Sequence, residues 1–292
     1  MVAFIYVLWV WVLLIMFGGV FVFLSKVSCI VANVIFNTQI NFELSQIDFF
    51  LWTIICQFIV WSLSLFMLTP IGGRVLCWSL RARHVTQREK KRLIEISQVA
   101  NSWLKQAYGA KIGVNFWISS EMRPGVQVIG RKEIIISQGL FDGNELDLMV
   151  NIMHGHAKIY RGISARMALI YGAHIIEILI KYTIASLLYV FNLLSKIWIF
   201  KIFSIFALGL KSVMRLIDFG WKLLQNYTLK RDDLKADCEI ACAGYADAML
   251  DFLQKHKYLE FTNIERFDQS GSTYHTASRI DNLEKLLERG VS

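Results

Sequence analysis

The sequence predicts an α+β membrane protein, with two N-terminal transmembrane helices, a mainly helical domain containing a small β-sheet, and a second apolar helical hairpin that interrupts this domain. Hydrophobic residues make up 55% of the 292 residues, which is too apolar for a soluble domain of this length. Amphipathic helix and short strand patterns follow the first apolar region. The predicted segments are a hairpin, a first part of the folded domain, a second hairpin and a second part of the domain, at 1–73, 74–162, 163–217 and 218–292.

The first hairpin is predicted from two long apolar runs. Residues 2–25 are uncharged and end at Lys26, and about 20 residues suffice to cross a bilayer. A cleaved signal peptide is disfavoured, because the run lacks a charged start and a small-residue cleavage site. Residues 49–73 form the second predicted span, which ends at Pro70 and two glycines. We therefore expect both helices to remain in the mature protein.

Positive charge follows the second run directly. The cations are Arg74, Arg81, Arg83, Arg88, Lys90, Lys91 and Arg92. Because cations next to a span favour the cytoplasmic side, we expect the folded domain in the cytoplasm and the lipid bilayer as a partner. This placement accounts for much of the net charge of +8, so no nucleic-acid partner is predicted. The five cysteines form no C-x-x-C pair and predict reduced thiols.

The folded domain begins with local helix and strand signals. Thr86 and Glu89 form a capping-box pattern ahead of an amphipathic helix that ends at Gly109. Three β-rich runs follow, at 114–119, 126–129 and 133–137. They predict a sheet of about three strands.

The central stretch, residues 144–161, predicts a buried helix. Its apolar residues recur at steps of three and four: Leu146, Met149, Val150, Met153 and Ala157. His154 and His156 are two residues apart, so on a regular helix they point about 200° apart and cannot share one zinc ion. We expect one histidine to face a candidate zinc site and the other to face solvent or a polar neighbour.

The second apolar region contains two segments, at about 168–194 and 198–216. They carry more charge than lipid-facing helices normally tolerate: His174, Glu177, Lys181, Lys196, Lys201, Lys211 and Arg215. Glu177 and Lys181 stand four apart and can pair along the helix. The pattern predicts a helical hairpin that spans the membrane or associates with it.

The order of these parts resembles the HtpX-type membrane zinc metallopeptidases over nearly the whole chain. The motif helix at 144–161 resembles the family's E-L-x-x-x-x-x-H-E-x-x-H helix, and residues 137–141 resemble its S-x-G-L phrase. Residues 125–131 resemble its N-A-F-x-x-G-R edge strand. The resemblance implies a zincin-like fold, a location in a bacterial inner membrane, and a substrate cleft whose residues would be Gly125, Val126, Gln127, Gly130, His275 and Arg279.

The zinc site implied by the resemblance is degenerate in this sequence. Ile152 stands where the family has its first ligand histidine, Met153 stands at the general-base glutamate, and His156 keeps the second ligand position. The family's E-x-x-x-D pattern matches Asp233, at the third ligand, and Asp237, at the acid that orients a ligand histidine. A solvated first helical turn explains these two acids equally well.

The chemistry predicts a catalytically inactive pseudopeptidase that binds no zinc. Peptide hydrolysis needs three protein ligands and a carboxylate base, and loss of a base alone costs ~10² to 10⁴ in rate. We expect Ile152 and Met153 to fill the former metal space, His156 to be oriented by Asp237, and the partners to be other membrane proteins or a second copy. The alternatives are an active zinc metalloendopeptidase with the ligands His154, His156 and Asp233, a transporter subunit, or a scaffold of an envelope or secretion assembly.

Overall fold

The structure is a computed structural model that describes residues 2–36, 46–194, 196, 203–224, 230–261 and 272–289. These residues form a mostly helical protein with one small mixed sheet. The helices are α1 (Val2–Phe36), α2 (Gln46–Phe66), α3 (Pro70–Ser79), α4 (Gln87–Tyr108), α5 (Gln138–Phe141), α6 (Glu145–Tyr160), α7 (Ile163–Leu194), α8 (Phe203–Leu224), α9 (Lys230–Cys242), α10 (Ala246–Phe261) and α11 (Ser272–Glu288). The strands are β1 (Ala82–His84), β2 (Asn115–Ser119), β3 (Val126–Ile129) and β4 (Glu133–Ser137).

The chain divides into two compact units, each built from two separate stretches. The apolar unit comprises Met1–Phe66 and Leu169–Trp221, and the mixed unit comprises Met67–Ala168 and Lys222–Ser292. The predicted segment ends at residues 73, 162 and 217 compare with observed unit boundaries after residues 66, 168 and 221. The chain therefore alternates between the two units.

The prediction of two N-terminal transmembrane helices is not confirmed. Within the described residues, one helix, Ile163–Leu193, is long and apolar enough by itself to cross a membrane, and a broken pair at Phe50–Phe66 and Pro70–Ser79 is a second candidate. The first predicted span lies in α1, of which the stretch Ala3–Gly19 is an apolar helix shorter than a full span. The best candidate therefore comes from the second apolar region, not the first.

The second predicted span is interrupted at residues 67–69, ahead of Pro70. Pro70 does not end a helix but begins α3, because its fixed φ and missing N–H suit the first helical position. Thr69 caps α3 by accepting a hydrogen bond from the backbone N–H of Gly72 at 3.1 Å. A sequence pattern that is typical of a span ending therefore marks a helix start here.

Buried charges of the apolar unit are paired with one another. Glu177 is fully buried and accepts a hydrogen bond from the hydroxyl of Tyr6. Its carboxylate lies 3.0 Å from Nζ of Lys181, as predicted, and Lys181 also lies 2.8 Å from Asp218. His174 lies 3.1 Å from the same carboxylate. This network explains how α7 tolerates charge, since ionisable groups away from water need partners.

The sheet of the mixed unit has the strand order β1-β2-β4-β3. β4 pairs with β2 in parallel and with β3 in antiparallel, which places β3 at an edge. The predicted β3 and β4 have the observed bounds, and β2 begins one residue later than predicted. The fourth strand, β1, pairs with β2 in antiparallel but was not predicted, because three residues within a cationic run carry no strand pattern.

The predicted helices of the mixed unit are confirmed. α4 begins with the complete capping box of Thr86 and Glu89, and it ends at Gly109, whose φ of 66° favours glycine. α6 is buried on nearly its whole circumference, since it packs against α4, α9, α10 and β3. Leu146 is an exception to the predicted buried face, with 44% of its surface exposed.

Gly155 allows α6 to approach the sheet closely. A Cβ atom at this position would lie 3.2 Å from Cδ1 of Ile134 and 3.4 Å from Cγ2 of Val128. Both side chains belong to the sheet, so a larger residue would push the helix away from it. This contact fixes which side of α6 faces β3 and β4, and it leaves the flanking histidines to other neighbours.

Candidate functional site

Ile152 and Met153 are packed in the apolar core of the mixed unit. Both side chains have 0% exposure and belong to one buried cluster drawn from α4, α6, α9, α10, α11 and the sheet. Neither side chain can bind zinc or accept a proton from water. Both side chains are therefore part of the packed core of the mixed unit.

His156 is held by two hydrogen bonds that define its tautomer. Its Nδ1 lies 2.9 Å from the carbonyl oxygen of Ile152, which can only accept, so Nδ1 carries the proton. Burial lowers the pKa of His156, so the ring is neutral and Nε2 keeps a lone pair. The hydroxyl of Ser97, 3.0 Å away on α4, donates to that lone pair.

One ring nitrogen of His156 donates to a carbonyl oxygen, as in many metal-binding histidines. The other nitrogen has a hydroxyl partner instead of a metal. Histidine ligands commonly donate one ring N–H to a carbonyl or carboxylate and bind metal through the other nitrogen. In this chain the Ser97 hydroxyl takes the Nε2 lone pair. A metal could bind His156 only after displacing this hydroxyl, and Ile152 offers no second donor.

His154 belongs to a different buried cluster, on the opposite side of α6. Its Nε2 lies 3.2 Å from Oδ1 of Asp237, on α9. Arg279, on α11, donates two hydrogen bonds of 2.7 Å to the same carboxylate. We call these three residues the His154–Asp237–Arg279 cluster. It joins α6, α9 and α11 through one carboxylate that has 0% exposure.

Electrostatics in this cluster favour an ionised Asp237 and a neutral His154. Burial would raise the pKa of Asp237, but the Arg279 charge and its hydrogen bonds, helped by His154, outweigh burial and hold that pKa at about 2. Burial lowers the pKa of His154, and the Lys158 and Arg279 cations lower it further against the opposing pull of Asp237. His154 therefore donates its Nε2–H to the carboxylate as a neutral ring.

The prediction that Asp237 orients His156 is wrong, because Asp237 contacts His154. The two rings point to opposite sides of α6, as helical geometry requires: His154 faces α9 and α11, and His156 faces α4. Neither histidine faces solvent, since their exposed fractions are 4% and 0%. Each has a polar protein partner instead.

Asp233, at the implied third ligand position, has a cationic partner in this structure. Its carboxylate forms an ion pair with Lys158 of α6. His154 has Asp237 as its partner, and His156 has Ser97. Among the described residues no group of three or more His, Cys, Asp and Glu is arranged to hold a metal ion. The residues present do not fit the zinc site that the resemblance implies.

The residues predicted to line a cleft are separated in the structure. Gly125, Val126 and Gln127 lie at edge strand β3, where Val126 packs near Gly155 of α6 and Gln127 is exposed. Gly130 lies at the β3–β4 turn with a φ of 63°. Arg279 is not at this edge but is bound to Asp237. The side chain of His275 lies outside the described residues.

Further ion pairs between α9 and the residues that follow α6 were not predicted. Glu239 has 3% exposure and binds both Arg161 and the hydroxyl of Tyr108. Asp232 lies 3.0 Å from Arg166, in the first turn of α7. One pattern in the sequence could have predicted these ion pairs. Acids recur along α9 and cations recur after residue 157, which predicts two charged segments that face each other.

No protein-family model, no curated protein and no solved structure matches this chain. A functional proposal for the site therefore rests on the chemistry of the site's own residues.

Proposed function

We propose that this chain is a catalytically inactive pseudopeptidase resembling the HtpX-type membrane metallopeptidases, with a structural, regulatory or partner-binding role in a bacterial membrane process. The observation that carries the proposal is the complete burial of Ile152 and Met153 at the positions where an active enzyme needs a zinc ligand and a general base. An apolar pair inside a packed core supplies neither a metal ligand nor a proton acceptor.

The hydrogen bonds of the two histidines support the same proposal. Ser97 takes the lone pair of His156, and Asp237 takes the N–H of His154. Both rings therefore act as packing and positioning groups between helices. The His154–Asp237–Arg279 cluster fixes three helices, so the fold is maintained by contacts that need no metal.

The apolar unit supports a membrane role. α7 has the length and composition of a span, and many large apolar side chains of this unit are exposed, including Phe50, Phe58, Tyr182, Tyr189 and Leu208. Contiguous apolar surface of this kind normally meets lipid or another membrane protein. We infer that the protein is integral to the inner membrane with its mixed unit in the cytoplasm, and that its partners are other membrane proteins or a second copy of the chain.

Metal analysis of the full chain tests the proposal. The protein is purified from membranes in detergent, loaded with zinc, desalted and analysed by mass spectrometry alongside a His156→Ala variant. We expect far less than one equivalent of zinc in both proteins, and no hydrolysis of an unfolded protein substrate. About one tightly held equivalent that disappears in the His156→Ala variant would overturn the proposal.

A further inference from the structure

The mixed unit contains a cavity of about 710 Å³ on the side of the sheet remote from β3. It lies between the first half of α4, strand β2 and the segment that leads into β2. Ionisable and hydroxyl side chains at its wall include Arg74, His84, Lys90, Ser97, Lys111 and Glu133. A volume of this size is typical of pockets for small organic molecules.

Charge at this cavity is predominantly positive. Arg74, Lys90 and Lys111 contribute three cations against the single carboxylate of Glu133, an excess of two positive charges if His84 is neutral. None of the three cations forms an ion pair with another residue in the described part of the chain. Cations that converge on a concave wall raise the local concentration of anions.

Glu133 is held in place by protein groups and forms no ion pair with these three cations. It has 4% exposure, and its Oε2 accepts hydrogen bonds from the backbone N–H groups of Arg131 and Lys132 at 3.1 and 2.9 Å. Its Oε1 has a longer contact of 3.4 Å with the amide of Asn115. One oxygen therefore retains capacity to accept a hydrogen bond from a molecule in the cavity.

The cavity wall is ordered by side-chain contacts. Asn101 of α4 makes two hydrogen bonds with the backbone of Ile112, one in each direction, at 2.9 and 3.1 Å. The ring of His84 lies on the ring of Trp117 with centroids 3.8 Å apart. These contacts hold the chain before β2 against α4, so the pocket is formed before any ligand arrives.

We propose that this cavity binds a small organic phosphate ester. A phosphomonoester carries close to two negative charges and three acceptor oxygens, which match the excess charge and the three cationic donors. The apolar wall formed by Ile94, Val114 and Phe116 accommodates the organic portion, and Glu133 accepts a hydrogen bond from its hydroxyl group. The ester is either a soluble metabolite or the headgroup of an anionic phospholipid.

The cavity also connects to His156. Ser97 contributes to the cavity wall and donates its hydroxyl hydrogen bond to His156 Nε2. A ligand that contacts Ser97 would therefore be linked to His156 of α6 through the Ser97–His156 hydrogen bond. This inference does not depend on the proposed function, because the cavity could bind an anion whether or not His156 binds zinc.

Calorimetric titration of the full chain in detergent tests the inference. The soluble probes are the phosphomonoesters glycerol 3-phosphate and AMP, and the lipid arm compares mixed micelles containing phosphatidic acid, which is also a phosphomonoester, with mixed micelles containing phosphatidylcholine. We expect saturable binding of a soluble ester, or selective binding of the phosphatidic acid micelles, and either result supports the site while identifying the source of its phosphate. Absence of saturable binding in both arms would overturn the inference.

Matched variants locate the binding. Lys90→Gln and Lys111→Gln each remove a cavity cation, and each should weaken binding by about tenfold. Lys91→Gln makes the same change on α4 at a position that does not line the cavity, and its affinity should stay within about twofold. If Lys91→Gln weakened binding as much as Lys90→Gln, the binding would be general surface electrostatics and the proposed site would be wrong. Circular dichroism of each variant checks that the fold is retained.

Discussion

The Nε2 atom of His156 lies 3.0 Å from the hydroxyl oxygen of Ser97, and neither residue has more than 7% exposure. This relationship links two helices, α4 and α6, through one hydrogen bond in the core. It also gives the lone pair of His156 a protein partner in place of a metal. Removing the Ser97 hydroxyl measures how much this bond contributes to the packing of α4 on α6.

Ser97→Ala should destabilise the mixed unit by about 1 to 3 kcal/mol, because it leaves a buried ring nitrogen without a donor. Ser102→Ala, on the same helix, is the matched control. Its hydroxyl is exposed and bonds only the local carbonyl of Val99, so a change within about 0.5 kcal/mol is expected. Chemical denaturation of the purified chain in detergent measures both. Equal losses of unfolding free energy would show that the Ser97–His156 bond stabilises the fold no more than the exposed Ser102 bond does.

Arg279→Ala should have a larger effect, about 3 to 5 kcal/mol, because it leaves the buried Asp237 carboxylate without its main counter-charge. Lys285→Ala removes another cation from α11, but its partner Asp281 is exposed, so about 0 to 1 kcal/mol is expected. Unfolding free energies of the two variants test the contrast. A loss for Arg279→Ala as small as that for Lys285→Ala would mean that the carboxylate is solvated or protonated.

Stability should fall as the pH falls, in two separate ranges. The pKa values of His154 and His156 are lowered in the folded protein, so below their ordinary value of about 6.5 the unfolded chain binds protons that the folded chain does not. The pKa of Asp237 is lowered to about 2, so its contribution is complete above its ordinary value of about 4 and is lost between about 4 and 2.

Denaturation midpoints measured from pH 8 to pH 3 test these ranges. His154→Gln should flatten the decline just below pH 6.5, because Gln does not titrate. Asp237→Asn should flatten the lower part of the curve. A His154→Gln variant whose stability still falls as steeply as the parent's between pH 6.5 and 5 would show that His154 is not the group responsible.

Sequence patterns predicted the elements that depend on local chemistry. The capping box at Thr86 and the apolar runs of β3 and β4 are such elements, and they fold where the pattern placed them. The broken span at Pro70 was misread because proline is typical both of a helix end and of a first helical position. β1 was not predicted, because its three residues become a strand only by pairing with β2.

The polar partners of the site were harder to predict than its elements. The sequence shows that His154 and His156 face opposite ways, but it does not show which one faces α9. That choice depends on how α6 is rotated, and Gly155 determines the rotation by packing on Ile134 and Val128. The resemblance gave His156 the ligand role, and the sequence analysis therefore paired Asp237 with His156. In the structure Asp237 contacts His154.

The proposed cytoplasmic placement of the mixed unit predicts the labelling of an engineered cysteine at exposed Lys90. In a background lacking the native cysteines, Lys90→Cys should react with a membrane-impermeant maleimide only after the cells are opened, since cations next to a span stay on the cytoplasmic side. Labelling of a cytoplasmic marker protein is the control for leakage. Full labelling in intact, unleaky cells would place the unit outside the cytoplasm.

Restoring the two residues of the resembling motif, Ile152→His together with Met153→Glu, should destabilise the protein by about 1 to 3 kcal/mol in the presence of a chelator. Both side chains are fully buried in the apolar core, so the double variant places polar groups there without partners. Leu146→Glu is the matched control on the same helix. Its position is 44% exposed and a carboxylate suits the first helical turn, so a change within about 0.5 kcal/mol is expected.

The melting of the double variant with and without zinc separates packing from metal binding. Without zinc, a melting temperature no lower than the parent's would mean that positions 152 and 153 tolerate polar groups, and the packed-core interpretation would then fail. With zinc, recovery toward the parent's stability would show that His156 exchanges its Ser97 hydrogen bond for a metal when a second histidine is supplied. We expect the first measurement to show a loss of a few degrees or more, because each kcal/mol shifts the melting temperature of a chain of this size by roughly 2 to 4 °C.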